Sequence, residues 1–150
     1  MTQASLFAGD NGSHEHPELT LFCDGGSRGN PGPAAIGAVV FDATIDPPVE
    51  LASVSECIGE TTNNVAEYKA LIAGLEAVAH LRARIIHVRA DSLLVIKQLR
   101  GEWKIKHANM RPLAVAARRL LNAYDVVDLQ HVPREENTVA DALVNAALDA

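Results

Sequence analysis

A short apolar run, Leu19 to Cys23, stops at an acid, Asp24, and Gly25, Gly26, Gly29, Asn30, Pro31, Gly32 and Pro33 follow at once. A second apolar run, Ile36 to Phe41, comes next. This density of turn formers between two apolar runs predicts strand, tight loop, strand. It also holds Asp24 at the end of the first strand. A carboxylate there is costly unless a cation or a hydrogen-bond donor accompanies it. The plainer alternative is that Asp24 caps a turn, as Asp often does. The choice depends on how the other acids of the chain are arranged.

Asp42 to Pro48 holds an Asp and two prolines and reads as a hairpin connection, and Val49 to Ile58 alternates loosely as a third strand closed by Gly59. Three strands joined by short turns form an antiparallel meander. A helix follows over about Val65 to Leu81, with Tyr68, Leu71, Ile72, Leu75, Val78 and Ala79 at helical spacing. Asn64 with Glu67 three residues on resembles a capping box, which would give Glu67 a structural task. Glu67 is also in line with Leu71, Gly74 and Val78, so it leans toward the buried side. Ile85 to Ala90 lies between helices, hence a parallel strand reached by a right-handed crossover. It too ends in an acid, Asp91, followed by Ser92.

Leu93 to Leu99 reads as a helix, and Gly101 to Met110 as an irregular, mildly basic connection holding the only tryptophan, Trp103. A helix over Leu113 to Leu121 starts at Arg111-Pro112, where proline is tolerated. Val126 to Val132 is the fifth strand, Pro133 to Asn137 a turn, and Thr138 to Leu148 the last helix. Val139, Ala140, Leu143, Val144, Ala147 and Leu148 stripe that helix, with Asp141 at the edge of the stripe. The expected fold class is α/β: a mixed five-stranded sheet, three antiparallel strands then two parallel ones, flanked by helices. Residues 19–150 form one domain, preceded by a flexible tail over 1–18.

A chain of 150 residues fits one domain with a sizeable core. Two cysteines, Cys23 and Cys57, are too few for a disulfide framework, and each reads as a buried free thiol. No apolar run reaches the length of about 18 residues that a membrane helix needs. No signal peptide is visible, so a cytoplasmic protein is expected, and as a monomer. The tail residues His14 and His16 read as solvated. The net charge of −6 excludes a strongly basic nucleic-acid binder, but not a small local patch that holds phosphates.

Asp24 and Asp91 both end strands, and on parallel neighbours both would project at the carboxyl edge of the sheet, where open α/β sheets bind ligands. Glu67 and Asp141, each in the first turn of a helix, reach the same edge. Four carboxylates so close cannot all stay ionised without cations. Oxygen donors of this kind suit Mg²⁺ or Mn²⁺, and two such ions about 4 Å apart would clamp the oxygens of a phosphoryl displacement. The chain lacks a Cys/His set for zinc and any GxxxxGK[ST] or GxGxxG loop.

The run Asp24-Gly25-Gly26-Ser27-Arg28-Gly29-Asn30-Pro31-Gly32-Pro33 resembles the first-strand motif of type 1 ribonuclease H. Thr61-Thr62-Asn63-Asn64-Val65-Ala66-Glu67 is similar to that family's approach to its first helix. Asp91-Ser92 resembles its fourth-strand pair, and Asn137 to Asp141 its last motif. Order, spacing and elements agree over about Leu19 to Leu148. The resemblance implies a nuclease that cuts the RNA strand of RNA–DNA hybrids, leaving 3′-hydroxyl and 5′-phosphate ends. Asp24, Glu67, Asp91 and Asp141 would hold two divalent ions, Mg²⁺ or Mn²⁺, and orient the attacking water. Gly25, Asn30, Thr62, Asn63 and Asn64 would touch the hybrid, since short amides and hydroxyls reach 2′-hydroxyls in a shallow minor groove.

The chain departs from better-known members in two places. Leu93 stands where they often carry glutamine, which removes one base-edge contact. The long basic protrusion is reduced to Arg100, Lys104, Lys106 and His107 around Trp103, as in the compact archaeal and actinobacterial branch. Trp103, Lys104 and Lys106 are the substrate contacts expected there, with an ordinary solvated surface as the alternative. His131 lies ten residues before Asp141, the spacing of the family's mobile histidine. Arg134 is nearer the site and is preferred over His131 as the phosphate-contacting or product-releasing group. His80 and His87 read as surface or packing residues. Two other readings compete: a non-catalytic binding module, and a nuclease of the same fold acting on DNA.

Overall fold

The computed structural model describes residues 16–150. Five strands form one sheet: β1 (Glu18–Ser27), β2 (Gly32–Asp42), β3 (Val49–Thr61), β4 (Ile85–Ala90) and β5 (Val126–His131), in the order β3-β2-β1-β4-β5. β1, β2 and β3 pair antiparallel, and β4 and β5 join β1 in parallel. The helices are α1 (Asn63–Val78), α2 (Leu93–Leu99), α3 (Arg111–Leu121) and α4 (Thr138–Asp149). None of the helices described is long and apolar enough to cross a membrane.

Alternation along the strands assigns the two faces of the sheet. Leu19, Leu21 and Cys23 of β1 and Ile36, Ala38 and Val40 of β2 join Tyr68, Leu71 and Leu75 of α1 in the main core. Val88 of β4, Ala114 and Ala117 of α3 and Ile96 of α2 complete it. On the other face Ala35 packs against Val144 and Ala147 of α4. The stripe of α4 is narrower than its sequence suggests, since Val139 is 49% exposed.

β1 does not stop at Cys23. It runs on through Gly25 and Gly26, which pair with Ile36 and Ala35, and the turn shrinks to Arg28–Pro31. Gly59 does not end β3 either. It sits at φ +83° beside a break in the β2–β3 register, and the strand continues to Thr61. The cap of α1 is Thr62, whose hydroxyl accepts from the Val65 N–H at 3.3 Å, and not Asn64. Cys57 is exposed because β3 is the edge strand, while Cys23 is buried as expected.

Residues 1–15 of the expected tail, His14 among them, lie outside the described residues. His16 is held and not solvated: its Nδ1 lies 2.7 Å from Oδ2 of the buried Asp42. The Pro17 carbonyl accepts from Arg84 and Ile85. His87 also does more than pack. Its ring meets Glu18 of β1 at Nε2 and Asp128 of β5 at Nδ1, so one imidazolium bridges three neighbouring strands. Burial lowers the pKa of His87, but the two carboxylates outweigh it, and the net shift is upward. A histidine with a raised folded pKa adds stability below its unfolded value of about 6.5 and loses it as pH rises through the folded value. The urea midpoint is expected to fall across that window in the wild type. That step is expected to shrink in His87→Gln.

Candidate active site

The parallel pairing of β1 with β4 ends at Cys23–Ala90. Asp24 and Asp91 each follow the last paired residue, so both acids stand where the two strands part. Asp24 still pairs antiparallel with Gly37 of β2. A Cβ at Gly37 would lie 2.4 Å from the Ala140 carbonyl oxygen, so glycine there admits the turn of α4 that carries Asp141. Gly25 does the same for α1. A Cβ on it would sit 2.3 Å from the Ala66 carbonyl carbon. The Gly25 N–H donates to Glu67 Oε1, which fixes the third acid against the strand.

One carboxylate oxygen each from Asp24, Glu67 and Asp91 lies within 4.8 Å of the others. Asp141 lines the same cleft, of about 400 Å³, outside that tight trio. Its two oxygens accept from Arg134 Nη2 at 3.3 Å and from Asn145 Nδ2 at 3.4 Å. Asp24 is only 7% exposed. Burial first, then the charge of Asp91, pushes its pKa up to about 7. Burial and the Asp24 charge push Glu67 above the usual carboxylate range as well. Acids in this state resist ionising until a cation joins them. The donor set is all carboxylate oxygen, which fits Mg²⁺ or Mn²⁺.

A pH dependence follows. An acid whose folded pKa is raised favours the folded state at low pH, and that contribution is lost as pH climbs from its ordinary value toward about 7 for Asp24. A cation among the ionised acids offsets the loss and binds more tightly as protons leave. Mn²⁺ is therefore expected to raise the melting temperature more at pH 8 than at pH 6, read by thermal unfolding with and without the metal.

The cleft includes Arg134, exposed and bonded to Asp141, in the short 3₁₀ turn Arg134–Glu136. His131 ends β5 opposite Ala90, is exposed, and does not line the cleft. Of the expected substrate contacts, Asn63 and Asn30 form a chain at the rim. Asn63 Oδ1 accepts from Ser27 N–H at 2.9 Å, and Asn30 Oδ1 accepts from Asn63 N–H at 3.0 Å. Thr62 spends its hydroxyl on the helix cap. Asn64, Trp103, Lys104 and Lys106 line a neighbouring groove of about 460 Å³, with Trp103 45% exposed.

Two residues near these clefts carried no sign of their task in the sequence. Gln98, 2% exposed, accepts from the Tyr68 hydroxyl at 2.6 Å and donates to the Lys104 carbonyl at 3.2 Å, so it ties the Trp103 segment to the core. Asn137, also 2% exposed, reaches both β1 and Asp91. An amide before a helix reads as a cap, and a polar residue inside a helical stripe gives no partner.

Residues 22–147 match the "Reverse transcriptase-like" family model. The bifunctional protein Rv2228c of Mycobacterium tuberculosis is 47% identical over 133 residues, which cover 89% of this chain and 36% of that protein. Its N-terminal RNase H domain, solved as a fusion with maltose binding protein, superposes with TM-score 0.84 at 46% identity, covering 88% of this chain and 99% of that one. The chain thus spans little more than a third of this mycobacterial relative. Ribonuclease HI of Halobacterium salinarum is 46% identical over 142 residues, covering 93% of this chain and 67% of that protein. A crystal structure of RNase H1 from that archaeon has TM-score 0.82, covering 88% of this chain and 98% of its own. An RNase H1 named LC11, solved in complex with an RNA/DNA hybrid, has TM-score 0.79 at 38% identity, covering 87% and 96%. The chain belongs to the type 1 ribonuclease H family.

Proposed function

We propose that this chain is an endonuclease that hydrolyses the RNA strand of RNA–DNA hybrids, using two Mg²⁺ or Mn²⁺ ions and leaving 3′-hydroxyl and 5′-phosphate ends. The observation that carries the reading is the convergence of Asp24, Glu67 and Asp91 oxygens within 4.8 Å at the carboxyl edge of the sheet. The Halobacterium relative, named ribonuclease HI, and the hybrid complex of LC11 support the substrate class.

Asp24, Glu67, Asp91 and Asp141 would hold the ions. When bound, they supply the charge that stabilises the attacking and leaving oxygens of an in-line displacement. The chain's own residues supply position. Gly25 N–H keeps Glu67 against β1. Arg134, already on Asp141, can extend a guanidinium to a phosphate, and we prefer it to His131 for that role because it lines the cleft. The oxygen of Asn63 is occupied by Ser27, so its NH₂ is left to donate outward to a 2′-hydroxyl or a phosphate. Trp103, Lys104 and Lys106 offer a face and two charges to the backbone beyond the cleft. With so few cations to neutralise phosphates on a chain of net charge −6, affinity is expected to be modest and its fall with added salt shallow.

The test is incubation with labelled hybrid, duplex DNA and duplex RNA, with and without Mn²⁺. The reading expects cleavage of the RNA in the hybrid alone, and only with metal. A hybrid that is bound but never cut would turn the assignment to a binding module, and cleavage of duplex DNA to a DNA nuclease.

A further inference from the structure

Asn137 occupies the N-cap position of α4, where an asparagine ordinarily turns its side chain back onto its own helix. It does not do so here, and its side chain makes no cap bond. Instead Nδ2 donates to the Cys23 carbonyl at 2.9 Å and lies 3.5 Å from Asp91 Oδ1. Cys23 and Ala90 are the last parallel pair of β1 and β4. The side chain therefore spans the gap just where the strands separate, and touches the residue before Asp24 together with Asp91 itself.

The backbone of Asn137 extends the same link. Its N–H donates to the Arg134 carbonyl at 2.9 Å, and its carbonyl accepts from the Asp141 N–H at 3.1 Å. One buried residue thus connects to Asp91, to the strand end that carries Asp24, to Asp141 and to the turn of Arg134. The amide orientation is not arbitrary. Turned over, its oxygen would face the Cys23 carbonyl and the Asp91 carboxylate, three acceptors with no proton between them. As oriented, Oδ1 is buried without a hydrogen-bond partner among the described residues.

We infer that Asn137 is a positioning residue of the acid cluster, setting the Asp24–Asp91 spacing and coupling it to Asp141 and Arg134. The inference rests on the proposed metal-dependent function. It adds that the cluster's geometry depends on a group that itself gives no oxygen to the cation.

The experiment compares the wild type with Asn137→Ala and with the isosteric Asn137→Asp, which keeps volume and an acceptor but loses the donor. Mn²⁺ affinity is measured calorimetrically without substrate, alongside melting temperature, circular dichroism and the kcat and KM for a hybrid. Removing a group that orients metal ligands typically weakens binding or activity about 10- to 100-fold. Folded Asn137→Ala is expected to bind Mn²⁺ at least about tenfold more weakly, with kcat reduced and KM for the hybrid little changed. Asn137→Asp, whose added charge faces Asp91 when the metal is absent, is expected to lose kcat as well. Folded variants with a lower melting temperature and unchanged Mn²⁺ affinity would overturn the inference, since the residue would then serve only the fold. Loss of the fold in both variants would overturn it equally. A wild type that fails to cut hybrid while Asn137→Ala still weakens Mn²⁺ binding would refute the substrate assignment and leave the positioning role standing.

Discussion

Asp24→Asn is expected to lower hybrid cleavage by about 10³-fold or more while leaving the protein folded and more stable at pH 8 in the absence of metal. Both effects come from the same electrostatics. Asp24 is 7% exposed, and burial with the charge of Asp91 holds its pKa at about 7. Without a cation beside it the ionised side chain is therefore a burden on the fold, and the neutral amide removes it. Cation binding depends on that same charge, and a metal that stabilises transition-state oxygens contributes several kcal/mol, each 1.4 kcal/mol being about tenfold in rate. Sites of this kind trade stability for activity. Cleavage rates in Mn²⁺ together with urea midpoints in a chelator read both halves. Activity that survives the substitution would remove Asp24 from the reaction.

Gly25→Ala is expected to destabilise the fold by about 3 kcal/mol or more and to disturb the site at the same stroke. Its new Cβ would meet the Ala66 carbonyl oxygen at 2.3 Å and the Glu67 nitrogen at 2.6 Å. These are backbone atoms of the first turns of α1, which cannot swing aside as a side chain can. Relief requires α1 to lift from β1, and the Gly25 N–H bond to Glu67 loosens with it. Gly26→Ala is the control, because the nearest atom there is a Val144 methyl at an ordinary 3.8 Å. Urea unfolding of the two variants separates close packing from any general effect of losing a glycine.

The contrast between those two glycines also shows what the sequence could reveal. Turn-forming composition predicted a loop beginning at Gly25, and the strand instead runs to Ser27. The reason for Gly25 is a helix that arrives some forty residues later, and local composition carries no trace of it. The acids were legible because position exposes them: Asp24 and Asp91 each end an apolar run, and Glu67 sits in a helical line with buried residues. The convergence of Asp24 and Asp91 then follows from the parallel pairing of β1 and β4, and the Gly25 N–H holds Glu67 beside them. Cross-chain pairings were not legible. His87 between Glu18 and Asp128 depends on the strand order, and Gln98 between Tyr68 and Lys104 depends on how α2 packs on α1. The cap falls on Thr62 and not on Asn64 because Thr62 has the extended backbone and its hydroxyl accepts from Val65 N–H, neither of which local composition shows.

Acids distant in the chain would form one cation site that serves phosphodiester hydrolysis. The most direct measurement is anomalous scattering from a crystal grown with Mn²⁺ and an uncleavable hybrid. Two peaks among Asp24, Glu67, Asp91 and Asp141, beside a phosphate of the RNA strand, are the predicted result. A cleft without metal, or Mn²⁺ bound elsewhere while the hybrid occupies the site, would contradict it.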